Sequence, residues 1–197
     1  VYKKGKKQKQ SSYNKNGKKT YEEIIINNIR EETEWYENGK KKNHQFFLLQ
    51  EEGGSMYTGK WVYWYENGKK EKERTYKNGK LDGKETYWHE NGLKKSEATY
   101  KDGKKDGKWT TWKKSGQKYI EQIWKDDMEH GLQTWWYWEE DQKSWESNWK
   151  DGKLDGKETY WYKNGQKKSE GTYKDGNEVG KWTYYNEDGG VKEVKEY

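Results

Sequence analysis

Four glutamates return to one slot of a recurring pattern: Glu73, Glu97, Glu121 and Glu170. Two carboxylates facing across a cleft can do general acid–base work. A carboxylate repeated in unit after unit among lysines is instead read as half of a cross-strand ion pair. The three histidines, His44, His89 and His130, fall in different slots, and none has a second His or Cys at metal-ligand spacing. No nucleophile elbow, phosphate-cradling glycine loop or zinc motif is present. The expectation is of no catalytic residue, no metal and no cofactor, and hence not of an enzyme.

Recognition chemistry is more plentiful. The 197 residues include 14 Trp and 18 Tyr, but only two Phe. The irregular aromatic positions are the binding candidates: Trp61, Tyr63, Tyr65, Trp109, Trp135, Tyr137, Trp138, Tyr162, Trp182 and Tyr184. They are expected on an exposed face rimmed by Lys. Trp, Tyr and Arg lead interface hot spots, so a protein partner, either a toxin or a cell-surface or host protein, is the first expectation. The same surface suits stacking of cell-envelope glycan, a quaternary ammonium held by cation–π contact, or anionic phospholipid. Single-stranded nucleic acid is disfavoured by the balancing acids.

The elements that position these residues follow from a 24-residue period. Gly59 to Asp82 and Gly83 to Asp106 align slot by slot, and such a period marks a repeat architecture. The recurring structural residues are Gly59, Trp64, Gly68, Glu73 and Tyr76, then Gly83, Trp88, Gly92, Glu97 and Tyr100, then Gly107, Trp112, Gly116, Glu121 and Trp124. Asn-Gly between aromatic or β-branched runs is a hairpin signal, read as a type I′ turn with positive φ at both central residues. A second turn, such as Asn78-Gly79 or Asp102-Gly103, joins one hairpin to the next.

The fold class is therefore all-β: an elongated repeat array of antiparallel hairpins, a meander of about 12 to 16 short strands on the order of 60–80 Å long. Pairing across a two-residue turn places Trp61, Tyr63, Tyr65, Lys70, Lys72, Arg74 and Tyr76 on one face. Val62, Trp64, Glu66, Glu71, Glu73 and Thr75 fall on the other. The slot opposite Trp61 holds Arg74, but Ala98, Gln122 and Gly171 elsewhere, so small residues are expected beside large rings. In the fourth unit Glu140-Asp141 replaces the Asn-Gly, and a longer turn or bulge is expected there.

At these residues the chain resembles the bacterial variant of the MORN repeat, found in proteins labelled YwqK-type antitoxin components. Gly59-Lys60-Trp61, Trp64-Tyr65-Glu66-Asn67-Gly68, Glu73, Tyr76 and Gly79 carry the pattern, as do Gly107-Lys108-Trp109 and Gly180-Lys181-Trp182. The resemblance covers residues 12–197 and implies extended hairpin sheets acting in protein interaction or at phospholipid membranes. Glu85, Gln133 and Glu158 depart from it in the Trp61 slot, which argues against one ligand per repeat.

Composition bounds the rest. Charged residues make up 39%, the hydrophobic share is 27%, and the net charge is +6. A thick core is excluded, so each unit must pack on its neighbours. Residues 1–58 are expected as degenerate repeats capping one end, with strands at Ile24 to Ile26 and Phe46 to Leu49. Residues 59–197 are expected as one regular array. Lys3-Lys4 and Lys6-Lys7 read as a solvated tail. No apolar run reaches a membrane helix. The start at Val1 rather than Met fits removal of a leader, hence a secreted or envelope-associated protein; without one, a cytoplasmic protein is expected.

Overall fold

The computed structural model describes residues 7–50 and 53–197; Lys3, Lys4 and Lys6 of the expected basic tail lie outside them. The described residues are all-β, and no helix among them is long and apolar enough to cross a membrane. Packing groups the chain into two compact units. The first takes the described residues through Lys95 with Thr99–Gly103, and the second takes Ser96–Ala98 and Lys104–Tyr197.

The first unit contains β1 (Gln8–Tyr13), β2 (Lys19–Ile26), β3 (Ile29–Trp35), β4 (Lys41–Leu49), β5 (Ser55–Trp64), β6 (Lys70–Lys77), β7 (Lys80–Leu81) and β8 (Gly83–Trp88). β9 (Lys94–Lys101) has residues in both units. The second unit contains β10 (Lys104–Trp112), β11 (Lys118–Lys125), β12 (Met128–Glu129), β13 (Gly131–Trp136), β14 (Lys143–Lys150), β15 (Lys153–Trp161), β16 (Lys167–Lys174), β17 (Asn177–Tyr185) and β18 (Val191–Glu196). From β1 to β8, and again from β10 to β18, strands follow one another antiparallel as a meander, with β7 and β12 as short ladder pieces. The hairpin repeat expected from the 24-residue period is the architecture found.

Two kinds of turn alternate. Asn78-Gly79, Asp102-Gly103, Asp151-Gly152 and Asp175-Gly176 have positive φ at both residues, as a type I′ turn needs. So do Asn27-Asn28 and Asp126-Asp127, where no glycine is present. The other turn corrects the expectation. At Glu66-Asn67-Gly68 only Gly68 has positive φ (87°). The Gly68 N–H donates to the Tyr65 carbonyl at 2.8 Å and the Tyr65 N–H donates to that of Lys69 at 2.9 Å. This is a three-residue loop with a glycine bulge, not a two-residue turn.

The bulge moves one side chain to the other face. Trp61 pairs with Arg74 and Tyr63 with Lys72, as expected, but Trp64 pairs with Lys70. Lys70 therefore joins Trp64 and Glu73 rather than Trp61. In the fourth unit the Tyr137 N–H reaches the carbonyl of Gln142 at 2.9 Å, closing the longer loop expected there.

Aliphatic residues contribute little to the core. The buried hydrophobic side chains are Phe47, Leu49, Trp61, Ala98 and Trp182. Rings instead meet across neighbouring strands, as Trp61 does with Phe47 and Tyr76, so cohesion comes from strand-to-strand rungs.

Candidate functional site

The two faces of the hairpins carry different chemistry. On the face holding Trp64, Glu73, Glu121 and Glu170 each lie between two lysines. Glu73 meets Lys60 at 2.7 Å and Lys70 at 2.6 Å, Glu121 meets Lys108 at 2.9 Å and Lys118 at 2.7 Å, and Glu170 meets Lys157 at 2.7 Å and Lys167 at 2.8 Å. Lys157 and then Lys167 hold the Glu170 carboxyl down to about 2, and Lys19 and Lys9 do the same for Glu22. At Glu73 burial pushes upward, yet Lys60 and Lys70 leave the carboxyl below its ordinary value. The glutamates are thus ion-pair members, as their repetition implied.

Lysines of this row, including Lys143 beside Glu146, stack on the recurring indoles. Lys70 lies 5.4 Å from the Trp88 ring, Lys118 5.9 Å from Trp136 and Lys143 5.8 Å from Trp161. At the loop end, tyrosine hydroxyls stitch one hairpin to the next. Tyr65 donates to the Trp88 carbonyl at 2.7 Å, Tyr137 to that of Trp161 at 2.6 Å and Tyr162 to that of Tyr185 at 2.9 Å. These three binding candidates have hydroxyls already committed to the scaffold.

The opposite face is aromatic. In the first unit Trp61 is only 7% exposed, packed among Phe47, Tyr57 and Tyr76, with its indole N–H donating to the Phe46 carbonyl at 2.9 Å. Trp182 in the second unit is 3% exposed and lies directly over Gly171, where an added Cβ would stand 2.1 Å from its ring. The expected exposure of Trp61 and Trp182 is therefore corrected. Neighbouring hairpins supply rings around Trp61 and a bare glycine beneath Trp182, and both indoles sink into the sheet. The small residue expected beside a ring is present, but Gly171 is covered from the following strand, not by its hairpin partner Glu158.

Other candidates on this face are covered by the chain's own cations. Lys72 lies 4.1 Å from the Tyr63 ring, Lys105 lies 3.8 Å from Trp109 and 4.3 Å from Trp124, and Lys195 lies 5.3 Å from Tyr184. Burial lowers the Lys105 ammonium, with Asp127 and Glu129 opposing.

One stretch is open. Trp138 is 61% exposed on the lengthened loop and meets Tyr119 edge-on at 4.8 Å. Tyr119 leads to Trp135 at 6.1 Å, Trp135 to Trp145 at 5.9 Å and Trp145 to Tyr160 at 6.2 Å. Trp135, Trp145 and Tyr160 are directly opposed across β13, β14 and β15. With Ser144 they line a shallow hollow of about 290 Å³. Behind it Glu158, 3% exposed, accepts the Trp145 indole N–H at 2.8 Å. Burial pushes this carboxyl up, while the Trp145 indole and the Tyr160 hydroxyl pull it back.

Of the ten binding candidates, this stretch unites Trp135 and Trp138; the others lie elsewhere. Tyr119, Trp145 and Tyr160 were not among the candidates. Their signal lay in the slot before the recurring glutamate, which holds Lys72, Ser96, Ile120 and Ser169 in other hairpins but a large indole, Trp145, here. Among the described residues no group of three His, Cys, Asp or Glu side chains could hold a metal ion.

Residues 57–78, 81–102 and 154–175 match the MORN repeat variant. Each matched segment is one hairpin with an Asn-Gly bulged loop, and each ends on the first residue of a type I′ turn: Asn78, Asp102 or Asp175. The hairpins of β10–β11, β13–β14 and β17–β18, whose loops lack Asn-Gly, fall outside the matches, as do β1–β2 and β3–β4, whose loops hold Asn16-Gly17 and Asn38-Gly39. No curated protein matches the chain.

Proposed function

We propose that the protein is a non-enzymatic MORN-repeat scaffold, of the bacterial antitoxin-component kind, that binds a protein partner through the aromatic face of its second unit. One observation carries this reading: the row from Trp138 and Tyr119 through Trp135 and Trp145 to Tyr160, whose outer member is 61% exposed although 14 tryptophans are available to be buried. An exposed indole continuous with a ring-lined hollow is the anatomy of an interface anchor. The opposite face is less suited to anionic lipid, because its lysines are spent on Glu73, Glu121 and Glu170.

The test is affinity capture from an extract of the source cells, comparing wild type with Trp138→Ala. That residue's exposure makes its removal harmless to folding, which far-UV circular dichroism checks. The expected result is a partner protein retained at 0.3 M salt by wild type and recovered ~10-fold less by the variant, as loss of a hot-spot anchor implies. Equal recovery by W138A, or capture abolished by salt alone as for lipid headgroups, overturns the reading.

A further inference from the structure

On the aromatic face, rings repeatedly meet a cation from the chain itself. Arg30 lies 4.5 Å from the Phe47 ring, Arg74 5.7 Å from Tyr87, Lys72 4.1 Å from Tyr63 and Lys105 3.8 Å from Trp109. In the first unit this arrangement also neutralises a buried acid. Lys72 is opposed to Tyr87, and Arg74, the next residue inward on that face, makes an ion pair with Glu85, which is 8% exposed.

The second unit repeats the acid and the phenol without the cations. Tyr160 and Glu158 occupy the places of Tyr87 and Glu85, two residues apart on the same strand. Opposite them, where the first unit has Lys72 and Arg74, stand Trp145 and Ser147. Glu158 is consequently buried with an indole N–H and a phenol as its partners, and among the described residues no lysine or arginine stacks on Trp135, Trp145 or Tyr160. A buried carboxylate is normally paired with a cation. Here the cations' places are taken by a third ring, Trp145, which lines the 290 Å³ hollow with Trp135, Tyr160 and Ser144, and by the fully buried Ser147 beneath it.

We infer that the Trp135–Trp145–Tyr160 row, backed by Glu158, is a binding site for an alkylammonium cation supplied from outside the chain. The ring faces offer their quadrupoles to the charge within about 6 Å of a centroid, and the carboxylate supplies the countercharge that Glu85 supplies to Arg74. The hollow is at the small end of ligand sites and fits a trimethylammonium-sized head rather than a long ligand. The inference shares the Trp135–Trp145–Tyr160 row with the protein-partner reading, but its variants leave Trp138, the residue that tests that reading, in place.

The experiment titrates the intact chain with choline chloride and with 3,3-dimethylbutan-1-ol, a neutral molecule of the same shape. The indole N–H resonances are followed at fixed ionic strength, and Trp145→Phe identifies the Trp145 signal. A saturable shift of that signal with choline is expected, with ~10-fold weaker binding of the neutral isostere and ~10-fold weaker choline binding by Glu158→Gln. Tyr160→Leu, at a 39%-exposed ring, gives the same loss if E158Q perturbs folding. Acetylated trimethyllysine amide in the same titration separates a side chain presented by another protein from a free choline-like cation, the tighter of the two identifying the source. Equal affinity for choline and its isostere, an E158Q variant that binds as wild type, or no saturable shift from either cation overturns the site.

Discussion

Glu158 shows how one side chain records both a cost and a purpose. Its carboxyl is raised by burial, chiefly, with Glu178 adding to the effect. Because its folded value lies above the ordinary 4.5, the folded state holds the proton more tightly than the unfolded state. Stability therefore falls as pH rises through the folded value and recovers as pH drops toward 4.5. Replacement by Gln keeps an acceptor for the Trp145 indole and removes the charge. Melting of E158Q at pH 7 is expected ~2–4 °C above wild type, about 1 kcal/mol for a chain of this size, with the gap closing near pH 4.5. A variant less stable than wild type at neutral pH, or a gap independent of pH, contradicts the account. A residue that costs stability in the free protein and sits behind an open ring cluster is the kind of rule-breaking expected at a functional site.

At the scale of elements, β16 and β17 show what local sequence does and does not encode. Gly171 has ordinary extended backbone, so its lack of a side chain serves the Trp182 ring and not a turn. Gly171→Ala is expected to force the indole out of its place and to destabilise the second unit by ~2–3 kcal/mol in urea unfolding, as overpacking does. Gly176→Ala meets nothing within 4 Å but has φ +90°, so its ~1 kcal/mol would be backbone strain alone. Equal costs at the two glycines would show that Trp182 is free to move aside.

The punctuation of the hairpins was legible because left-handed backbone demands Gly, Asn or Asp, and the type I′ turn at Asn78-Gly79 is read directly from that demand. The kind of turn was not legible at Asn67-Gly68, since the same dipeptide serves a bulged three-residue loop when only its glycine is left-handed. Trp138 is exposed as expected, but the burial of Trp61 and Trp182 was hidden for a different reason. Each depends on what the adjacent hairpin places beside the ring, and a 24-residue period carries no information about that neighbour. The glutamate ion pairs were legible because both partners recur with the period.

For the molecule as a whole, stability is divided between two chemistries that respond oppositely to acid. Glu22, Glu73, Glu121 and Glu170 all have carboxyls held below 4.5 by lysines, Glu22 and Glu170 down to about 2. A depressed folded value contributes stability that is present above 4.5 and is lost as pH falls through the folded value. Those losses fall between pH 4.5 and about 2, below the range in which protonation of Glu158 helps. The wild-type melting temperature is therefore expected to be highest near pH 4.5–5 and to drop by ~5–10 °C at pH 2.5, at ~0.2–1 kcal/mol per exposed pair. One molar salt at pH 7 should reproduce part of the drop, because the lysines are largely exposed and screened. Far-UV circular dichroism across that pH series decides it: melting as high at pH 2.5 as at pH 5 means the lysine–glutamate lattice is ornament, and that the sheet is held by its rings alone.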